Sequence, residues 1–145
     1  MLTDIDGMQV NIETNGSIPL DVALEALQLP ERVVFTMDWK SVSSNMSEEM
    51  RYENLEVLRR CDVLKLVVSN IKEIEQVYKI LVDRVSSFKC NNVFVSPVFG
   101  EISLEDIADY LLHLPDVENE KTISRKFRMQ VQLHKYIWEP SKRGV

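Results

Sequence analysis

Short apolar runs recur along this chain, and a stretch long enough for a helix separates each from the next. No other feature limits the fold as much. Met8, Val10 and Ile12 alternate with Gln9, Asn11 and Glu13, the period of a strand from Met8 to Thr14. Val33-Val34-Phe35-Thr36-Met37 is continuous, the pattern of a strand covered on both faces. Val63 to Val68 and Val93 to Val95 read as two more strands. Arg128 to His134 alternates again, with Met129, Val131 and Leu133 against Arg128, Gln130, Gln132 and His134. The stretches between suit helices: Pro19 to about Leu27, about Ser47 to Arg59, and 71 to 87, where Ile71, Ile74, Val77, Tyr78, Leu81 and Val85 recur at helical spacing. A fourth helix carries Leu104, Ile107, Leu111 and Leu114. Asn70 stands three residues before Glu73, and Ser103 three before Asp106; both are capping-box starts. Connections of this length permit parallel crossovers. The expected fold class is α/β, with about five parallel strands alternating with helices in one domain over residues 1–145.

Bulk properties exclude several classes of function. The 145 residues carry 23 acidic against 17 basic side chains, a net charge of −6, with no basic stripe, so no nucleic-acid partner is expected. No apolar run approaches the roughly 20 residues that span a bilayer, so no membrane partner is expected either. The opening MLTDIDGMQV carries Asp4 and Asp6 and lacks the basic and apolar regions of a signal peptide, which makes the cytoplasm the expected location. Cys61 and Cys90 have neither CxxC spacing nor a nearby histidine, the pattern of reduced structural thiols. Nucleophile elbow, phosphate-binding loop, zinc spacing and carboxylate dyad are all missing.

The carboxyl ends of the strands are where parallel α/β folds bind ligands. Here they read Thr14-Asn15-Gly16-Ser17, Asp38-Trp39-Lys40-Ser41, Ser69-Asn70, Ser96-Pro97-Val98-Phe99-Gly100 and His134-Lys135. Such residues are also ordinary caps and turns, so one corner alone decides little. Five on one rim, with a Trp, a Lys and a His among them, make that rim the candidate site. The opposite strand ends carry Asp, Glu and Asn, which read as ordinary surface residues. Lys65 shares the parity of Val63, Val67 and Ser69, which directs its ammonium along a sheet face or leaves it snorkelling. Asp38 and Lys40 share a side, as an ion pair or as ligand contacts.

Taken in order, E-T-N-G-S at 13 to 17, D-W-K-S-V-S-S-N-M at 38 to 46, D-V-L-K-L-V-V at 62 to 68, S-P-V-F-G at 96 to 100 and Q-L-H-K-Y-I-W at 132 to 138 resemble the C-terminal portion of the 7-carboxy-7-deazaguanine synthase family. These are radical S-adenosylmethionine enzymes. The resemblance implies a partial parallel (β/α) barrel, here truncated on its N-terminal side. It also implies a [4Fe–4S] cluster, S-adenosylmethionine, assisting magnesium, and ring contraction of 6-carboxytetrahydropterin on the route to queuosine. By the same resemblance Thr14 and His134 are substrate contacts. Gly16, Asp38, Trp39, Lys40, Ser96, Pro97, Val98 and Phe99 are cofactor contacts, although of the family's Ser-Pro-Lys segment only Lys40 matches.

The family's three cluster-ligating cysteines, its magnesium-binding threonine and its Gly-Gly-Glu-Pro stretch lie upstream of E-T-N-G. Cys61 and Cys90 are too few and wrongly placed to replace that triad. The expectation is a chain that holds the substrate and adenosylmethionine part of the site and is inactive alone. It would be completed by a separate N-terminal cluster-binding chain or paired as a homodimer through the open edge at Met8–Thr14. A non-catalytic α/β binding or assembly domain is the alternative. The C-terminal run 138–145 has no role implied by the family.

Overall fold

The computed structural model describes residues 8–28, 30–39, 50–115, 121–139 and 141–142. Five strands form one sheet: β1 (Val10–Thr14), β2 (Val33–Trp39), β3 (Val63–Val68), β4 (Asn92–Pro97) and β5 (Phe127–Met129). All neighbours are parallel, and their order in space is their order in sequence. Among the described residues the sheet is open, not closed into a barrel, with β1 and β5 at its ends. The helices are α1 (Leu20–Glu25), α2 (Asn54–Val57), α3 (Ile71–Asp83), α4 (Leu104–Leu112), α5 (Lys121–Ser124) and α6 (His134–Ile137). Among the described residues no helix is long and apolar enough to cross a membrane.

Strand parity divides the sheet into two unlike faces. Val33, Phe35, Met37 and Trp39, then Leu64, Leu66 and Val68, then Val93 and Val95, are buried with Ile74, Val77, Tyr78 and Leu81 of α3 and Ile107 of α4. Burying each such side chain contributes about 1.5–3 kcal/mol, so this seam between sheet and helices is the main source of stability. The other parity holds Gln9, Asn11, Glu13, Val34, Thr36, Val63, Lys65 and Phe94, which line an open cleft. Val34 is only half-buried there, so the apolar run in β2 packs against helices on one face, not two.

Helix α3 begins where its sequence requires. The Asn70 side chain accepts from Glu73 N at 3.2 Å, and Glu73 Oε2 accepts from Ser69 N at 2.8 Å. Ser103 Oγ accepts from Asp106 N at 3.0 Å and caps α4. Elsewhere the expected bounds change. Helix α3 stops at Asp83, and a turn closes with Phe88 N donating to Arg84 O at 2.8 Å. The helix expected over 47–59 is a single turn, Asn54–Val57; its residues 47–49 lie outside those described. That turn ends because Leu58 is extended (ψ 125°) and the Arg59 N–H is drawn to the Asp62 carboxylate.

The strand starts are not ordinary surface. Asp62 is fully buried, and its carboxylate accepts from Phe35 N (2.9 Å), Arg59 N (2.8 Å), Arg59 Nε (3.0 Å) and Arg59 Nη2 (2.8 Å). The same guanidinium donates to Pro30 O and Val33 O at 2.7 and 2.6 Å. One ion pair thus fastens the starts of β2 and β3 together. Burial alone would raise the Asp62 pKa, but hydrogen bonds from Arg59 and two backbone N–H groups outweigh it and hold the carboxyl below its usual range. The Asp62 carboxylate in turn raises Arg59. Nearby, burial raises the Cys90 thiol and lowers the Lys126 ammonium, which donates to Phe88 O at 3.0 Å and lies 4.7 Å above the Phe88 ring.

Candidate functional site

Parallel pairing brings the carboxyl ends of all five strands to one edge. Thr14 pairs with Met37, Asp38 with Lys65, Val67 with Ser96, and Val95 with Met129. The first corner is tightly built. Gly16 has φ 74°, a conformation that side chains disfavour, and its N–H donates to Thr14 Oγ1 at 3.2 Å. A Cβ at Gly16 would lie 3.0 Å from Met37 Sδ and 3.4 Å from Met50 Cγ, so the residue must be small for packing alone. Asn15 Oδ1 accepts from Ser17 N at 3.1 Å and from Ser17 Oγ at 2.8 Å.

Asn54 holds this corner in place. Its carboxamide donates to Gly16 O (2.9 Å) and Ile18 O (3.0 Å) and accepts from Leu20 N (2.9 Å), while only 2% of the residue is exposed. Arg51 adds its backbone N–H to Gly16 O at 3.0 Å and its Nε to Ser17 O at 3.2 Å.

The other candidates divide. Asp38 is on the cleft side of β2, with Oδ1 3.9 Å from Lys65 Nζ. Trp39 has the opposite parity and is 8% exposed, packed edge to face on Tyr52 with ring centroids 5.4 Å apart, so the structure gives it a core position. Lys40 lies outside the described residues. Ser96 is fully buried, its hydroxyl 3.5 Å from Gln130 Oε1, and Pro97 is buried beside it. Val98 N–H donates to Val68 O at 2.8 Å, which seats the loop after β4 on the end of β3. Phe99 is 47% exposed and meets Tyr136 edge to face at 5.9 Å.

His134 is not on a strand. The strand expected from Arg128 to His134 is corrected: β5 is only Phe127–Met129, and His134 opens α6. Gln130 N donates to Val95 O at 2.8 Å, extending the β4 pairing by one residue, and Leu133 beyond it is 66% exposed. Among the described residues the alternating run pairs with β4 alone, and its apolar positions Met129 and Leu133 are exposed, not part of a core face. The Phe99–Tyr136 contact still ties α6 to the loop after β4.

Beside this rim, the cleft on the open sheet face holds about 400 Å³ and is lined by Gln9, Asn11, Glu13, Thr36, Lys65, Phe94 and Gln130 among others. Thr36 Oγ1 donates to Asn11 Oδ1 at 3.0 Å. The polar half of the β1 alternation is the sequence signal for this face. Nothing comparable marks Asn54, whose partners are 34 to 38 residues away.

Both thiols are free and stand at the other end of the sheet, just before β3 and β4. Cys61 is exposed. Cys90 is buried, with its Sγ 3.1 Å from Asp62 O. Among the described residues no three His, Cys, Asp or Glu side chains gather to hold a metal ion.

A sequentially ordered parallel sheet, helix-covered on one face and polar on the other, defines the class: an α/β domain whose strand carboxyl ends form the candidate site. Comparison with known proteins narrows it. The chain is 39% identical over 138 residues to the 7-carboxy-7-deazaguanine synthase of Clostridium acetobutylicum, covering 95% of this chain and 57% of that protein. It is 29% identical over 138 residues to that of Leptospira interrogans (92% of this chain, 50% of the relative) and 32% identical over 136 residues to that of Methanospirillum hungatei (92% and 48%). The chain spans about half the length of the curated relatives it matches. It is thus related, over nearly all its residues, to the C-terminal portion of the 7-carboxy-7-deazaguanine synthase family. No family model and no solved structure matches it.

Proposed function

We propose that these residues form the substrate and S-adenosylmethionine part of a 7-carboxy-7-deazaguanine synthase, built on an arc of a (β/α) barrel within one domain. One observation carries the proposal. The segments that resemble the family's binding stretches, 13–17, 38–39 and 96–99, end β1, β2 and β4 of one parallel sheet on the same side, beside a polar cleft. In this reading Gly16 and Ser96 to Phe99 hold the adenosine part of the cofactor, and Thr14 and His134 contact 6-carboxytetrahydropterin. Half-exposed Phe99 suits a flat ring, and the buried Ser96 hydroxyl suits a fixed polar contact. When bound, S-adenosylmethionine supplies the adenosyl group of the chemistry.

The iron–sulfur cluster does not fit the residues present. The chain has two cysteines where the family uses three, and both lie at the amino ends of strands, away from the rim. These residues support no step through a cluster, and magnesium has no assigned ligand among them. We therefore propose that the 145-residue polypeptide is inactive by itself and needs cluster ligands from other polypeptide, in a separate chain or a longer one.

Ligand binding to the folded state alone raises stability by about 2.7 kcal/mol at a hundredfold excess over Kd, or roughly 5–10 °C for a chain of this size. Thermal unfolding with S-adenosylmethionine at millimolar concentration is the test. A shift of that order supports the site. Its absence favours a binding or assembly domain that kept the fold without the chemistry. Reductive cleavage of the cofactor by the chain alone, after cluster reconstitution, would overturn the proposed inactivity.

A further inference from the structure

The buried Asn54 carboxamide directs its NH2 group and its oxygen at the backbone of residues 16–20. Asn54 opens α2, and Leu55 and Leu58 of the same segment are fully buried, so the carboxamide is carried on a rigid support. The peptide that follows Gly16 is held at both polar atoms. Its oxygen accepts from Asn54 Nδ2 at 2.9 Å and Arg51 N at 3.0 Å, and its N–H, on Ser17, donates to Asn15 Oδ1 at 3.1 Å. The peptide before Gly16 is held by the Gly16 N–H, which donates to Thr14 Oγ1 at 3.2 Å. Gly100, the other described glycine with positive φ, is in open space: among the described residues a Cβ there would meet nothing within 4 Å.

A glycine at φ 74° has other backbone conformations within easy reach, so without outside bonds this corner would exchange among them. A ligand that contacts the corner binds only the conformers that present the right backbone, and its apparent Kd rises in inverse proportion to their population. Asn54 reaches the corner from 34 to 38 positions away and selects one conformer. A carboxamide suits the task, with donors for Gly16 O and Ile18 O and an acceptor for Leu20 N. A carboxylate of the same shape would turn two attractions into repulsions. Coupling of this kind is reciprocal: a ligand on the corner strengthens the clamp by as much as the clamp favours the ligand.

We propose that Asn54 is a positioning residue for the ligand at the Gly16 corner: it touches no ligand, and it sets affinity by holding the backbone from Gly16 to Leu20 in the binding conformer. This rests on the proposed function and adds to it a residue from outside the strand-end segments. The test is a calorimetric titration of S-adenosylmethionine into the wild type, Asn54→Asp, Asn54→Ala and Asp62→Asn, with urea unfolding to confirm that each is folded. Asp62→Asn is the control, a destabilising change at the far end of the sheet. Both Asn54 variants bind about tenfold more weakly than the wild type, equivalent to about 1.4 kcal/mol, and Asp62→Asn binds as the wild type does. Unchanged affinity in the folded Asn54 variants, or an equal loss in Asp62→Asn, overturns the positioning role and leaves the proposed function standing. If the Asn54 variants do not fold, hydrogen exchange in the wild type decides. Ligand then slows the Leu20 N–H, which donates to Asn54 Oδ1, about tenfold relative to the Phe35 N–H, which donates to Asp62. Equal slowing of the two, or none, overturns the role. If the wild type binds no S-adenosylmethionine at millimolar concentration, the positioning role and the proposed function fall together.

Discussion

Replacing Asp62 by Asn removes one charge from the buried pair at the strand starts and keeps its shape. The Asn oxygen can still accept from Phe35 N and Arg59 Nη2. Its NH2 then faces Arg59 N and Nε, which in the wild type donate to Asp62 Oδ2 at 2.8 and 3.0 Å. Donors would meet donors, and the guanidinium would lose its counter-charge. Breaking one side of a buried pair costs about 3–5 kcal/mol, and the 27% exposure of the Arg59 side chain argues for the lower end, about 3. Against a total of about 5–15 kcal/mol that is a large share. With a urea slope of about 2 kcal/mol per molar, the unfolding midpoint falls by roughly 1.5 M. Trp39, buried in the core, serves as the fluorescence reporter, and Glu101→Gln, an exposed carboxylate, is the control. The pH dependence follows from the direction of the shift. The folded pKa of Asp62 lies below its unfolded value of about 3.9, so its stabilisation is complete above that value. It is lost as pH falls through the folded pKa. The gap between wild type and variant therefore stays constant from neutral pH to about 5 and narrows below about 4. A neutral-pH loss under about 1 kcal/mol, or a gap unchanged by acid, would refute the role given to this pair.

Three further outcomes are expected. Asn54→Ala strands Leu20 N and Ile18 O and takes one of two donors from Gly16 O, so stability falls by about 2–4 kcal/mol in urea unfolding. Gly16→Ala places a Cβ at φ 74° and against Met37 Sδ, costing about 1–3 kcal/mol by the same measurement; a neutral result would mean the corner relaxes freely. With a maleimide, Cys61 reacts at once, whereas Cys90, buried and with its thiol pKa raised, reacts only on unfolding; mass spectrometry after partial labelling distinguishes them.

Residues with near neighbours in sequence are the legible ones. The α3 periodicity and the Asn70 and Ser103 caps are local, as is the parity that puts Lys65 on the open face. Long-range partners are hidden. Asp62 reads as an ordinary surface residue until β2 is brought beside it, and Asn54 looks like a mid-helix polar residue until Gly16, 38 positions away, needs a donor. The run from Arg128 to His134 misleads because alternation records a side-chain pattern, not the presence of a strand to pair with. Trp39 reads as a rim residue because it precedes a polar stretch, yet its parity matches Met37 and carries it into the core.

The most direct test of where the ligand sits is a backbone amide NMR titration of the 16.8 kDa chain with S-adenosylmethionine. Shifts should concentrate at Gly16, Ser96, Val98 and Phe99 and leave Arg59, Asp62, Cys90 and Lys126 at the amino ends unmoved. Changes centred on that second group, or none at millimolar ligand, would contradict a binding site at the carboxyl rim.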